Sequence, residues 1–177
     1  MKYLIMTEGS CEKAVLDVFI EKGILKYKKE DLLYEEIHRS RQIKGDLIAK
    51  IEQLPPNEKV TVIRLGDKLS DELKIPKSLK NKIIKEEKVC IKPEFEILHI
   101  IRECKYKTYN KNKHMKPSEY LVNQVLLDYQ KTYAYNYDYF LKMNVEEVRS
   151  LIKEYNVLRH ETHQSDEYTL DYLIDKI

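Results

Sequence analysis

The tightest constraint on the fold is a set of short apolar runs that alternate with helical patterns through residue 105. Lys2 to Thr7 reads Lys-Tyr-Leu-Ile-Met-Thr, and Lys59 to Leu65 carries Val60, Val62 and Ile63. Both runs are too short for a buried helix, and a β-branched run of that length suits a strand covered on both faces. Tyr34 to His38 is a weaker strand candidate, and Lys88 to Lys92 another short one. Between them, Cys11 to Lys22 has helical spacing through Ala14, Val15, Val18 and Phe19, with Ser10 placed as an N-cap and Gly23 as a stop. Ile43 to Leu54 is helical through Ile43, Leu47, Ile51 and Leu54 until Pro55-Pro56 ends it. Ser78 to Glu87 reads as a third helix, and Pro93 opens a fourth from Glu94 to about Arg102. Such alternation predicts an α/β fold, a parallel sheet of about four strands flanked by helices. Lys105 to Lys116 breaks the pattern and reads as an exposed loop. After Pro117 only helices are expected: Ser118 to about Tyr129, one through Tyr139 to Lys142, Val145 to Asn156, and Leu170 to Lys176. The expected organisation is an α/β domain over 1–105, then a basic loop and helical extension over 106–177 packed on it.

Composition removes many functions. At 177 residues the chain suits one domain with a real core. No apolar run approaches the roughly 18 residues of a membrane span. The N-terminus lacks the basic-then-apolar layout of a signal peptide. Cys11, Cys90 and Cys104 form no CxxC, so neither a disulfide framework nor a zinc ribbon is indicated, and a reducing cytoplasm is expected. Four glycines furnish no glycine-rich nucleotide loop. The net charge of +2 conceals an asymmetry. Residues 1–116 carry 26 basic and 19 acidic side chains, against 6 and 11 in 117–177. A basic N-terminal part favours a polyanion such as nucleic acid, although lysine-rich composition alone produces the same excess.

In open parallel sheets, ligands bind beyond the carboxyl ends of the strands. Glu8 follows the first expected strand, Arg39 and Arg41 the second, Asp67 and then Asp71 the third, and Glu94 and Glu96 the fourth. Carboxylates offer hard oxygens to a divalent metal, and arginines offer cations to a phosphate ester. Each residue also has an ordinary role. Glu8 and Glu94 suit helix starts, and Asp67 after Gly66 suits a turn.

Leu4-Ile5-Met6-Thr7-Glu8-Gly9-Ser10, with Glu12 further on, resembles the first motif of TOPRIM domains. Lys92-Pro93-Glu94-Phe95-Glu96-Ile97-Leu98 resembles the Asn-Pro-x-Phe-Glu segment of RloB-like proteins, a TOPRIM-related group found with ATPase partners in phage-defence and restriction loci. The resemblance covers about residues 1–105. It implies a TOPRIM-like fold, Glu8 in acid/base chemistry, Asp67 as a metal ligand and Glu96 as the RloB-like glutamate, with Mg or Mn as cofactor. The Asp-x-Asp position reads Asp67-Lys68-Leu69, so the second carboxylate is missing unless Asp71 replaces it. Lys68 would compete with a metal there.

Lys105 to Lys116 holds five lysines interleaved with Tyr106, Tyr109 and His114. That pattern suits contact with single-stranded nucleic acid through Lys107, Lys111 and Lys113, or a merely solvated loop. Cys11 in a first helical turn suits a nucleophile or, more ordinarily, a buried packing residue. His160 and His163, with Glu161 and Asp166 nearby, are too few for a zinc site. Tyr133, Tyr135, Tyr137 and Tyr139 alternate and are expected at a helix junction or partner surface.

Two functions follow. The first is a metal-dependent nuclease of DNA or RNA in a phage-defence or restriction-type system, working beside an ATPase. In it Glu8, Asp67 and Glu96 are catalytic, Glu8, Asp67 and Asp71 hold metal, and Arg39, Arg41 and Lys68 meet phosphates. The second is a catalytically degenerate adaptor that binds protein or nucleic acid. No membrane partner is expected, and self-association as a homo-oligomer is left open.

Overall fold

The structure, a computed structural model, describes residues 1–66, 72–111, 114–159 and 168–175. Four strands form one all-parallel sheet: β1 (Lys2–Thr7), β2 (His38–Arg39), β3 (Val60–Gly66) and β4 (Ile83–Cys90), in the order β2-β1-β3-β4. Seven α-helices accompany it among the described residues: α1 (Ser10–Glu21), α2 (Asp46–Glu52), α3 (Glu96–Arg102), α4 (Tyr106–Asn110), α5 (Pro117–Tyr120), α6 (Tyr133–Leu141) and α7 (Val145–Arg159). The α/β class expected from the alternation is the one observed, with helices toward the C-terminus.

The central strands owe their continuous apolar sequence to cover on both faces. Leu4 pairs in register with Val62, and Ile5 with Ile63. Leu4, Met6, Val60 and Val62 pack with Leu47 and Ile51 of α2. Ile5, Ile63 and Leu65 face the opposite way, into a larger core with Val15 and Phe19 of α1, Ile97 and Leu98 of α3, and Phe140, Leu151 and Tyr155 of the extension. Each fully buried aliphatic side chain contributes roughly 1.5–3 kcal/mol, so the sheet is anchored through β1 and β3.

The third crossover differs from expectation. Ser78 to Glu87 is not a helix: a single 3₁₀ turn, Lys77–Leu79, leads into β4, which begins at Ile83. Lys85, Glu86 and Glu87 are compatible with a strand because β4 is at the sheet edge and these charges are paired. Lys85 meets Glu87 at 2.7 Å, and Glu86 meets the buried Arg64 at 2.9 Å. Tyr34 to His38 is likewise no full strand. Tyr34 and Glu35 have φ of 53° and 57°, which turns the chain, and only His38–Arg39 pairs with β1.

The expected loop at 105–116 contains α4, with Tyr109 buried against Tyr120 at 5.1 Å and donating to the Met115 carbonyl at 3.1 Å. Its aromatic residue, not its lysines, determines its packing. The expected helix at 118–129 is cut short: α5 passes into a π-turn at Leu121–Val125. The alternating tyrosines lie on α6, where spacing by four stacks Tyr133 on Tyr137 and Tyr135 on Tyr139. Near the C-terminus, Leu170–Leu173 is a 3₁₀ turn.

Candidate functional site

β1 delivers Glu8 at the carboxyl edge of the sheet, 15 % exposed, with its Oε2 2.8 Å from Nη2 of Arg41. Gly9 then caps α1 in an extended conformation. A Cβ on Gly9 would fall 2.2 Å from Oε2 of Glu12, so the absence of a side chain there lets the Glu12 carboxylate fold back over the helix start. That oxygen is buried and has no hydrogen-bond partner. Arg39, at the end of β2, donates to Ser10 Oγ at 2.8 Å.

Beyond β4, Glu96 opens α3 and is only 2 % exposed. A carboxylate so placed requires a countercharge, and Lys131, from the segment before α6, brings its Nζ to 2.5 Å from Glu96 Oε1. Asn136 of α6 holds that segment in place. Its Nδ2 donates to the carbonyls of Gln130 at 3.3 Å and Thr132 at 2.6 Å, and its Oδ1 accepts from Cys11 Sγ at 3.3 Å.

These groups share one electrostatic environment. Burial raises the Glu12 pKa above the ordinary carboxyl value, and the charges of Glu96 and Glu8 add to the rise. Burial also pushes the Cys11 thiol well up, helped by Glu96 and Glu12. Burial and these carboxylates favour the protonated thiol, which suits the packing role. For Lys131, burial favours the neutral amine, but contact with Glu96 and the charges of Glu96, Glu94 and Glu12 outweigh it and raise its pKa. His99, one turn beyond Glu96, is enclosed by Tyr129, Tyr139 and Phe140, with ring centroids 4.6–5.2 Å away. Burial, then the Arg102 charge, lowers it to about 3.

The carboxyl edge thus brings together Glu8, Arg39, Arg41 and Glu96, with Glu12 coupled electrostatically to both glutamates. Asp67, Lys68, Asp71 and Lys113 lie outside the described residues, as do His160, Glu161, His163 and Asp166. Lys107 and Lys111 are exposed, the first on α4 and the second at its end. Sequence reasoning quoted Glu12 only inside a motif and missed Lys131 and Asn136. Glu12 is legible as the third helical residue behind a glycine cap. Lys131 carries no local signal, because tertiary packing alone brings it to Glu96.

The donor chemistry matches a hard cation in part. Among the described residues no three His, Cys, Asp or Glu side chains form a ligand group for a metal ion. A closed protein cage is not built from them. The buried Oε2 of Glu12 lacks a hydrogen-bond partner, and the charges of Glu96 and Glu8 act on its carboxyl. No family model, curated protein or solved structure matches the chain. Among the described residues no helix is long and apolar enough to cross a membrane.

Proposed function

We propose that the carboxyl edge is the active site of a divalent-cation-dependent phosphodiesterase acting on nucleic acid, as the TOPRIM-like and RloB-like motifs imply. The observation that carries this reading is the placement of Glu8, with Arg41 at 2.8 Å and Arg39 beside it on Ser10, after β1, and of Glu96 after β4, at the sheet edge where parallel folds bind ligands. Glu8 and Asp67, which follows Gly66 in sequence, would hold the ion, with waters and the substrate phosphate completing its shell. When bound, the ion supplies Lewis acidity to the phosphoryl oxygen and lowers the pKa of a coordinated water. Glu12, whose pKa burial raises above the ordinary carboxyl value, is the side chain at this edge that would hold and release a proton. Arg39 and Arg41 orient the phosphate. The ATPase partner and the phage-defence setting belong to the same reading.

A second reading has its own observation. Arg41 and Lys131 already neutralise Glu8 and Glu96, which suits an adaptor that keeps the edge without the chemistry. Cleavage of single- and double-stranded DNA and RNA in MgCl₂ or MnCl₂ separates the two. The nuclease reading expects activity that is lost in Glu8→Gln and Glu12→Gln while both variants stay folded. No cleavage of any substrate by the parent, with no metal uptake, selects the adaptor.

A further inference from the structure

All strands of the sheet are parallel, so their first residues share the edge opposite the candidate site, roughly 20 Å away along a strand such as β3. Lys2, Lys59 and Lys82 stand at the starts of β1, β3 and β4. The Lys2 N–H donates to the Lys59 carbonyl at 2.9 Å, and the Val60 N–H to the Lys82 carbonyl at 2.8 Å. Adjacent strands lie about 4.8 Å apart, and like charges on them repel. Carbonyl oxygens hold the three ammonium groups: Glu30 holds Lys2 at 2.5 Å, Asn81 holds Lys59 at 2.7 Å, and Leu54 and Pro55 hold Lys82, the latter at 2.8 Å. A carbonyl accepts the hydrogen bond without cancelling the charge. Glu58, the carboxylate beside them, is bonded to the Met1 amine at 2.7 Å; that contact, then the charges of Lys2 and Lys82, lowers its pKa. A cavity of about 640 Å³ adjoins the row, within the range of roughly 300–1,000 Å³ of ligand sites. Tyr3, Tyr27 and Tyr172 line it with Lys26 and Lys85. The Tyr3 and Tyr27 rings are 4.3 Å apart, and Lys26 Nζ lies 3.2 Å from the Tyr172 ring centroid. The carboxylates of the cavity are engaged: Glu87 accepts from Lys85 and from Tyr172 at 2.7 Å each, and Asp31 from the Lys28 N–H at 3.0 Å.

We propose that the amino edge binds single-stranded nucleic acid, with Lys2, Lys59 and Lys82 meeting backbone phosphates and a base entering the cavity lined by Tyr3, Tyr27 and Tyr172. A row of cations supplies the attraction for a polyanion, and it gains most where no carboxylate already cancels the charge. Aromatic rings beside such a row select an unpaired strand, because every base has a π-face and the bases of a duplex are already stacked on one another. Lys26 adds a charge inside the cavity itself. The inference concerns binding alone and does not depend on cleavage at the carboxyl edge, which lies at the other end of the strands.

The test reads fluorescence anisotropy of a labelled single-stranded oligonucleotide across a salt series, in EDTA so that binding is separated from cleavage. Lys2→Gln/Lys59→Gln/Lys82→Gln should bind at least about tenfold more weakly and reduce the slope of log K against log[salt] by about 2, since each single-strand phosphate contact contributes about 0.7. Tyr172→Leu should bind about fivefold more weakly or worse with the slope unchanged. Because the three lysines also fasten the chain through carbonyls, a second measurement uses the parent itself. The oligonucleotide should protect Lys2, Lys26, Lys59 and Lys82 from acetylation, read by mass spectrometry. Protection confined to Lys107 and Lys111, an unchanged slope in the triple variant, or no binding by the parent overturns the inference. Displacement by heparin or polyglutamate as readily, at equal charge, as by unlabelled single strand, with Tyr172→Leu binding like the parent, marks a general anion or acidic-protein surface and overturns it too. Binding with the expected protection by a parent that cleaves nothing in MgCl₂ upholds the inference and removes the nuclease. Cleavage without protection at the amino edge does the reverse.

Discussion

Asn136 is the position where the packing of the extension and the geometry of the candidate site can be tested together. It is fully buried, and its side chain makes three contacts: to the Gln130 carbonyl, the Thr132 carbonyl and the Cys11 thiol. Asn136→Ala removes all three. A neutral intramolecular hydrogen bond contributes about 0.5–1.5 kcal/mol. The thiol contact is weaker than that, and Gln130 and Thr132 are exposed residues whose carbonyls regain part of the loss from water. Loss of the side-chain volume between α1 and α6 adds a cavity term. The expected destabilisation is about 2–4 kcal/mol, or a fall in melting temperature of roughly 4–16 °C for a chain of this size.

Cys11→Ala separates the components. It removes one thiol bond and a small buried group while leaving the two carbonyl bonds, so it should cost about 1–2 kcal/mol, well short of Asn136→Ala. Urea denaturation of both variants, followed by circular dichroism, supplies the comparison. If Asn136→Ala costs less than about 0.5 kcal/mol, below even a single typical hydrogen bond, the claim that Asn136 fastens the Lys131 segment fails. If the two variants cost the same, the stability of the hub comes from packing and not from the two carbonyl bonds.

Three further outcomes follow from single residues. Gly9→Ala should cost no more than about 1 kcal/mol, because the atom a Cβ would strike is the mobile end of Glu12; it should nevertheless lower the Glu12 pKa by displacing the carboxylate, which carboxyl NMR titration will read. For Glu12 itself, the folded pKa lies above the ordinary 4.5, so its contribution is whole below pH 4.5 and is lost as pH rises through the folded value; Glu12→Gln should therefore be more stable than the parent at pH 7, measured by urea midpoints across that range. His99 has the opposite sign: its folded value of about 3 lies below the ordinary 6.5, so its contribution is whole above pH 6.5 and is lost as pH falls through 3, and His99→Phe should flatten the acid limb of the stability curve, a swing of roughly 4–5 kcal/mol.

Much of the fold was legible because the two central strands are buried on both faces, and Leu4-Ile5-Met6 and Val60 to Leu65 announce that in their apolar continuity. The edge strands were not. β2 is too short to produce a pattern, and β4 carries four consecutive charged residues, of which Lys85, Glu86 and Glu87 have partners that are visible only once the sheet is assembled. The alternation of tyrosines in α6 looked like a two-residue period. On a helix the same residues form two stacked pairs, and Tyr133 and Tyr137 donate to Asp17 and Glu21 of α1 at 2.9 and 2.6–2.7 Å. At the site, Glu8 and Glu96 were found by the rule that loops converge at the carboxyl ends of parallel strands. That rule speaks only of residues that immediately follow strands, so it was silent on Lys131.

The boundary drawn at residue 105 marks a change in sequence pattern, not a division of the core. Phe140, Leu151, Ile152 and Tyr155 belong to the same apolar cluster as Ile5, Val15 and Phe19. Tyr155 donates to the Pro93 carbonyl at 2.7 Å and sets its ring edge on Phe95 at 5.9 Å, which fixes the turn that presents Glu96. Glu96 then depends on Lys131, and Lys131 on Asn136. The dependence runs from Tyr155 of the extension to the turn before Glu96, and from Glu96 back to Lys131 and Asn136 of the extension. The candidate site is consequently a joint product of both parts: the sheet sets where the carboxylates stand, and the extension sets which charge faces them. A parallel sheet with this edge but without the extension would leave Glu96 with no countercharge, and a buried carboxylate in that condition takes up a proton or exposes itself. The charge that faces Glu96 is thus set by a residue that the first 105 positions do not contain, whereas Glu8 has its partner Arg41 within them.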